Sequence, residues 1–365
     1  MMNVRCASCA MTAVPWLVAA ALGCGEVTVA EPDAREAADA SESSADAAIV
    51  EDAANGGSAD GDVDEGPAMG VLLFGGNDED SQVMADTWIW DGERWEEVAT
   101  GGLPARAIHA ATYDEARDRV VVFGGLDDLD EELDDTWEWD GEEWIEVASG
   151  EPSARSNHAL AYDAARERVV LFGGRGGDLN SLQDTWEWDG ETWELVAEDG
   201  PAARSGHAMA YDAARERVVL VSGAEDIEPL EDTWEWDGET WELVADEGPA
   251  AVSHALSYDP DRERVVLFGG SDNDGLRLQD TWEWDGEAWN DVSTSVSPEE
   301  RTAHDLAYDG TAGQILLYGG LVEGSSVLRD TVAWDGAAWD DLAPPLPHPY
   351  RRNHVLTEIR LPEPN

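Results

Sequence analysis

Two side-chain types recur along this chain at spacings that could do chemistry. Arg106, Arg155, Arg204, Arg301 and Arg351 each stand three residues before a histidine: His109, His158, His207, His304 and His354. A sixth histidine, His254, has Ala251 where the arginine would be. Converging guanidinium groups could grip a carboxylate or an acidic peptide, because their planar fork matches two carboxylate oxygens. These five arginines are therefore the candidate ligand-binding residues. Their competing role is to pair with an aspartate at a neighbouring strand end. Six imidazoles around one axis would make a metal site, but one imidazole per repeat is also the mark of a packing residue. No metal role is assigned to them.

Catalytic constellations are missing. The cysteines are Cys6, Cys9 and Cys24, all within the first 24 residues, so a processed chain has no thiol nucleophile and no disulfide. No Gly-x-Ser-x-Gly elbow, metalloprotease helix motif or phosphate loop occurs. Carboxylates are so numerous that a pair suited to glycoside hydrolysis cannot be singled out. A binding protein is the first expectation, ahead of an enzyme.

The elements that position these residues come from a repeat. Asp86-Thr-Trp-Ile-Trp-Asp-Gly92 returns at Asp135, Asp184, Asp232, Asp280 and Asp330, in steps of 49, 49, 48, 48 and 50 residues. An apolar run closing on Gly75-Gly76, Gly124-Gly125, Gly173-Gly174, Ser222-Gly223, Gly269-Gly270 and Gly319-Gly320 keeps the same period. Each unit reads as four short strands. In the third, His158-Ala-Leu-Ala-Tyr-Asp163 is followed by Arg168-Val-Val-Leu-Phe172, and Asp184-Thr-Trp-Glu-Trp-Asp189 alternates with period two. Asp189-Gly190 is a tight-turn signal leading into Thr192-Trp-Glu-Leu-Val196. Four antiparallel strands per unit, six times, predict an all-β chain folded as a six-bladed β-propeller. The alanine-rich histidine strand belongs innermost, and the tryptophan strands outside, where the blades splay. The first unit lacks a histidine strand, and Arg352-Asn-His-Val-Leu-Thr-Glu-Ile359 is left over at the other end. The C-terminal strand is therefore expected to complete the first blade.

Pro152-x-x-Arg155-x-x-His158, the glycine pairs, and Trp188-Asp189 followed by Trp193 resemble the kelch-repeat family over roughly residues 70–360. Single copies depart from it, with Ser222 for a glycine, Ala251 for arginine, Val332 for tryptophan and Glu358 for tyrosine. The resemblance implies the propeller fold but little about activity, since propellers host unrelated functions. It argues against the copper oxidases related to the family, which need a tyrosine cross-linked to a cysteine. It leaves a kelch-type sugar mutarotase, acting on an acidic sugar with a carboxylate and an arginine over the pore, as the alternative.

Arg5, the apolar stretch Ala13–Leu22 and Ala21-Leu-Gly-Cys24 resemble a bacterial lipoprotein signal, with Cys24 as the acylated residue. The expected organisation is a signal peptide over 1–23, an acidic disordered tether over 24–69, the propeller over 70–360 and a tail over 361–365. The tether's Ala, Asp, Glu, Ser and Gly cannot bury enough apolar surface to fold. Export and anchoring in the cell envelope, with the outer membrane preferred, follow from this reading.

The chain carries 81 acidic residues against 21 arginines and no lysine, a formal charge of −60. Such a field repels nucleic acid and anionic lipid surfaces, so neither is an expected partner and the lipid group is the one membrane contact. It suits cationic partners, divalent ions or a salty habitat. No cofactor is expected; calcium ordering the acidic loops is a further alternative, although Asp60-Gly-Asp-Val-Asp64 lacks the glycine placement of a calcium loop.

Strand order separates two faces. Turns such as Tyr162–Arg168 and Asp189-Gly190 hardly change between units, whereas the loops after the glycine pairs differ in every copy, for instance Leu126–Asp134 against Ser271–Gln279. Those loops, together with the arginine ring, are the expected surface for a protein or glycan partner. A closed ring needs no second copy, so a monomer is expected.

Overall fold

A computed structural model describes residues 68–177, 180–225 and 228–361. The expected signal peptide, Cys24, the tether up to residue 67 and residues 362–365 lie outside the described residues. Six sheets of four antiparallel strands account for nearly all the regular structure. In the third blade the order outward is Ala159–Asp163, Arg168–Phe172, Thr185–Trp188 and Trp193–Ala197.

The second strand of each blade reads as a continuous apolar run because neighbouring blades cover both its faces. Val169, Val170, Leu171 and Phe172 are all fully buried. Period-two alternation sends them to opposite seams. Val169 and Leu171 pack with Val121 and Phe123 of the second blade, while Val170 and Phe172 pack with Val218 and Leu220 of the fourth.

The inner strands Ala110–Asp114, Ala159–Asp163, Ala208–Asp212, Ala255–Asp259, Asp305–Asp309 and Val355–Arg360 adjoin one another in a closed circle. Val355–Arg360 comes from the C-terminus and pairs with Met69–Phe74, from Met69 opposite Arg360 to Phe74 opposite Val355. The last strand of the chain is thus the inner strand of the first blade, as the phasing of the repeat requires.

The two faces of the disc carry different connections. A Cβ placed on Gly190, in a third-to-fourth-strand hairpin, would meet Arg117 of the preceding blade's first-to-second-strand turn, and Gly238 stands likewise against Arg166. These hairpins form one face, called here the turn face. The glycine pairs lie against the segments that carry arginine and histidine, as Gly124 does against Arg155 O and His158. Those connections form the loop face.

Candidate functional site

The five arginines lie beneath the loop face, between zero and two per cent exposed. Each is bonded to the aspartate that opens the third strand of the blade it leads into. Arg106 grips both carboxylate oxygens of Asp135 at 2.7 and 2.8 Å, Arg155 those of Asp184 at 2.8 and 2.9 Å, and Arg204 those of Asp232 at 2.6 and 2.9 Å. Arg301 does the same with Asp330, at 2.8 and 2.7 Å, and Arg351 bonds Asp86 across the junction of the chain's two ends. In four of them Nη1 also donates to a strand-end carbonyl: Gly124, Gly173, Ser222 or Gly319.

The aspartates are engaged twice. Asp135, Asp184 and Asp232 also accept the indole N–H of the tryptophan two residues on. Burial alone would raise these carboxyls; the guanidinium and the indole outweigh it and hold them below the usual carboxylate range. The guanidinium groups are therefore turned into their own blades and do not converge on the axis. As placed, they give the frame its rigidity, and a solvent-borne carboxylate finds them already paired.

The axis is occupied by a channel of about 500 Å³. Its loop-face end is rimmed by Ile108, Asn157, Gly206, Ser253, Ala303 and Asn353, whose peptide groups form a closed ring of hydrogen bonds at 2.8–3.2 Å. All six are left-handed, with φ between 55° and 67°. The six histidines follow, each 5–6 % exposed. Five stand edge-on to an aromatic ring of the preceding blade: Phe74, Phe123, Phe172, Phe268 or Tyr318. His207 and His304 direct Nε2 at the carbonyls of Phe172 and Phe268, at 3.1 and 3.0 Å, which requires a proton on that nitrogen. Burial first, and then the neighbouring arginine where there is one, push the imidazoles well below their ordinary pKa, so they are neutral.

Toward the turn face the channel is lined by Tyr113, Tyr162, Tyr211, Tyr258 and Tyr308. The hydroxyls of Tyr211 and Tyr258 accept from Ala165 N and Ala214 N of the preceding blade, both at 3.1 Å. Glu358 takes the sixth place and accepts from Gly310 N at 3.1 Å. Asp305 replaces the alanine of other inner strands and accepts from Leu356 N at 2.7 Å. Burial pushes both carboxyls up to about 7. Both belong to the seam where the C-terminal strand meets the sixth blade, and neither stood out in the repeat except as a departure from it.

On the loop face, the loops that differ most in sequence share a backbone. In the first, second, fifth and sixth blades a four-residue reversal is closed by Asp78 N to Gln82 O, Asp127 N to Glu131 O, Asp272 N to Leu276 O and Val322 N to Ser326 O, at 2.9–3.1 Å. A left-handed residue sits at one place in all four, Ser81, Asp130, Gly275 and Ser325, with φ from 61° to 75°, and the sixth loop has a second in Gly324, at 76°. In three of them an aspartate caps the turn: Oδ1 of Asp78, Asp127 and Asp272 each accept two backbone N–H groups. The side chains between these fixed points differ and face water; Leu129 is 71 % and Leu276 63 % exposed. The third blade has the same closing bond, Gly176 N to Asn180 O at 3.1 Å, and the fourth instead pairs Ala224–Glu225 with Glu228–Pro229.

Among the described residues no group of three or more histidine, cysteine or acidic side chains is placed to hold a metal ion. No curated protein matches the chain. The family model described as the KLHDC2/KLHL20/DRC7 Kelch-repeats domain matches residues 68–248. The same register of arginine, histidine, glycine pair and tryptophan, with Ala251 for one arginine, Ser222 for one glycine and Val332 for one tryptophan, runs on through all six blades to Arg360. The chain belongs to the kelch-repeat β-propeller family.

Proposed function

We propose that this protein is a non-catalytic interaction module that presents its loop face to a protein partner. Kelch propellers are commonly used for protein interaction, and one observation carries the reading to a surface. Three loops hold a single backbone through an aspartate cap and a left-handed residue, while the side chains displayed between those points change freely. A rigid frame with interchangeable exposed side chains is what recognition needs. The arginines and histidines of the repeat are consumed in building that frame.

The signal-like N-terminus and Cys24 support export and lipid anchoring in the cell envelope, the outer membrane being the preferred side. Cys24→Ser should then move the protein from the membrane fraction to the soluble one; unchanged fractionation would remove the anchor.

The recognition reading is tested by affinity capture from native envelope extract with the whole processed chain as bait. A second bait carries Glu79→Ser, Leu129→Ser and Leu276→Ser, which keep the capping aspartates and so the loop backbone. A protein retained at 0.5 M salt by the first bait and lost from the second supports the loop face. Retention of a glycan instead, or of the same material by both baits, sinks it.

A further inference from the structure

Five connections of the ring carry a buried arginine, and the one leading into the fifth blade does not. Backbone pairing fixes the register. Val252 N donates to Ser271 O at 3.0 Å, just as Ser205 N does to Ala224 O at 3.0 Å and Thr302 N to Leu321 O at 3.1 Å. Ala251 therefore stands where Arg204 and Arg301 stand. The chain is one residue shorter here, Pro249-Ala-Ala-Val252 replacing Pro201-Ala-Ala-Arg-Ser205.

The partners of the missing side chain are still present. Asp280 occupies the place of Asp184 and Asp232, and Gly269 that of Gly173 and Ser222, whose carbonyls accept from Arg155 and Arg204. Between them lies a cavity of about 190 Å³ lined by Ala251, Asp280, Gly269, Asp272, Leu278 and Trp282. Among the described residues no arginine pairs with Asp280, and burial together with the nearby Asp291 pushes its carboxyl above the usual range.

We propose that this cavity is a binding pocket for a guanidinium group supplied from outside the chain. The other blades show how it would be held: two parallel bonds to the carboxylate of Asp280 and one to the carbonyl of Gly269. That set fits a planar fork of donors better than a compact ammonium. Trp282 adds an aromatic surface of the kind that favours guanidinium. The source named here is an arginine side chain of a protein, which rests on the interaction reading above; the pocket's preference for guanidinium does not. From Met69 onward the chain has 68 acidic residues against 19 arginines, a field that draws in such a cationic partner.

The test uses the full chain and two probes at matched ionic strength, Nα-acetyl-arginine amide and Nα-acetyl-lysine amide, with binding followed by NMR titration. Wild type should bind the arginine amide at least tenfold more tightly than the lysine amide. Ala251→Arg, which returns the repeat's own side chain to the cavity, should lose that binding and raise the melting temperature. Asp280→Asn should lose the binding without filling the cavity, which keeps the test decisive if Ala251→Arg does not fold. Equal affinity for the two amides, or arginine-amide binding unchanged in Asp280→Asn, overturns the pocket. Amide binding as expected, with capture from extract unaffected by Ala251→Arg, leaves the pocket standing and removes the protein arginine as its source.

Discussion

The indole N–H of Trp95, in the first blade, donates to the hydroxyl of Thr331, in the sixth, at 2.9 Å. The same bond joins every neighbouring pair of blades: Trp144 to Thr87, Trp193 to Thr136, Trp241 to Thr185, Trp289 to Thr233 and Trp339 to Thr281, at 2.8–2.9 Å. Trp95 and Thr331 differ in lying 236 residues apart, so their bond forms only when the two ends of the propeller meet. Thr331 is fully buried and Trp95 nearly so. Thr331→Val preserves shape and strands the indole donor. We expect a loss of about 1–3 kcal/mol in urea unfolding. A change within error would mean that the indole finds water, and that the seam is more open than its packing indicates.

Arg155 and Asp184 make a pair whose arginine is inaccessible and whose aspartate is mostly covered. Truncating either leaves the other charge buried without a counter-ion. Arg155→Ala should therefore cost about 3–5 kcal/mol. Arg155→Lys should recover little, because a single ammonium cannot reproduce two bonds to Asp184 and one to Gly173. A variant as stable as wild type would show that the arginine ring is not structural and would return it to the list of binding residues. Loss of partner capture by Arg155→Ala would not by itself locate a binding face, which is why the loop tips are substituted instead.

Much of this was legible in the sequence. Strand type, blade number and closure followed from the spacing of Asp-Thr-Trp, the glycine pairs and the histidines, because each is a local pattern repeated in phase. The engagement of one aspartate by both an arginine 29 residues before it and a tryptophan two residues after it was not legible. That depends on a buried carboxylate having more acceptor capacity than one partner uses. The common backbone of the Asp78, Asp127 and Asp272 loops was hidden for a different reason. It is set by one cap and one left-handed residue, and Ser81, Asp130 and Gly275 look unrelated as letters. The vacancy at Ala251 was visible as a departure, but not the fact that Asp280 and Gly269 keep their places around it.

The six neutral histidines make stability depend on acidity. Burial depresses their pKa, to about 3 for His158 and His354 and to about 4 for His254, whose connection lacks an arginine. A group depressed in the fold stabilises it above the unfolded pKa of about 6.5, and that contribution is lost as pH falls. Unfolding between roughly pH 5 and 6 should take up about five protons from histidine alone, a slope of about 7 kcal/mol per pH unit. Unfolding free energies measured across that range give the proton count directly. A slope near zero would mean that the imidazoles are already charged in the fold.

Ile108 holds φ at 57° in the rim of the channel, where Asn157, Asn353 and Gly206 occupy equivalent positions. A β-branched side chain crowds the following carbonyl there, at a cost of about 1–2 kcal/mol. Ile108→Asn keeps the peptide ring and relieves part of that strain, so it should stabilise the fold by about 0.5–1 kcal/mol in urea unfolding. Destabilisation would mean that the packing of the isoleucine matters more than its backbone.

Asp305 and Glu358 work in the opposite sense from the histidines. Burial raises both carboxyls to about 7, so the fold favours their protonated forms. Their stabilising contribution is present below the unfolded carboxylate range and is lost as pH rises through about 7. Both lie in the seam closed by the C-terminal strand, with Asp309 and Glu115 the charged neighbours acting on Glu358. Asp305→Ala restores the residue carried by the second to fifth blades, and Glu358→Tyr the one carried by the other five. Each should raise stability by about 1 kcal/mol at pH 8 and by less at pH 5. The double variant should show a flatter stability curve between pH 5 and 8 than wild type. Curves that stay parallel across that range would show that the two carboxylates are hydrated in the folded protein and ionise as they would in an unfolded chain.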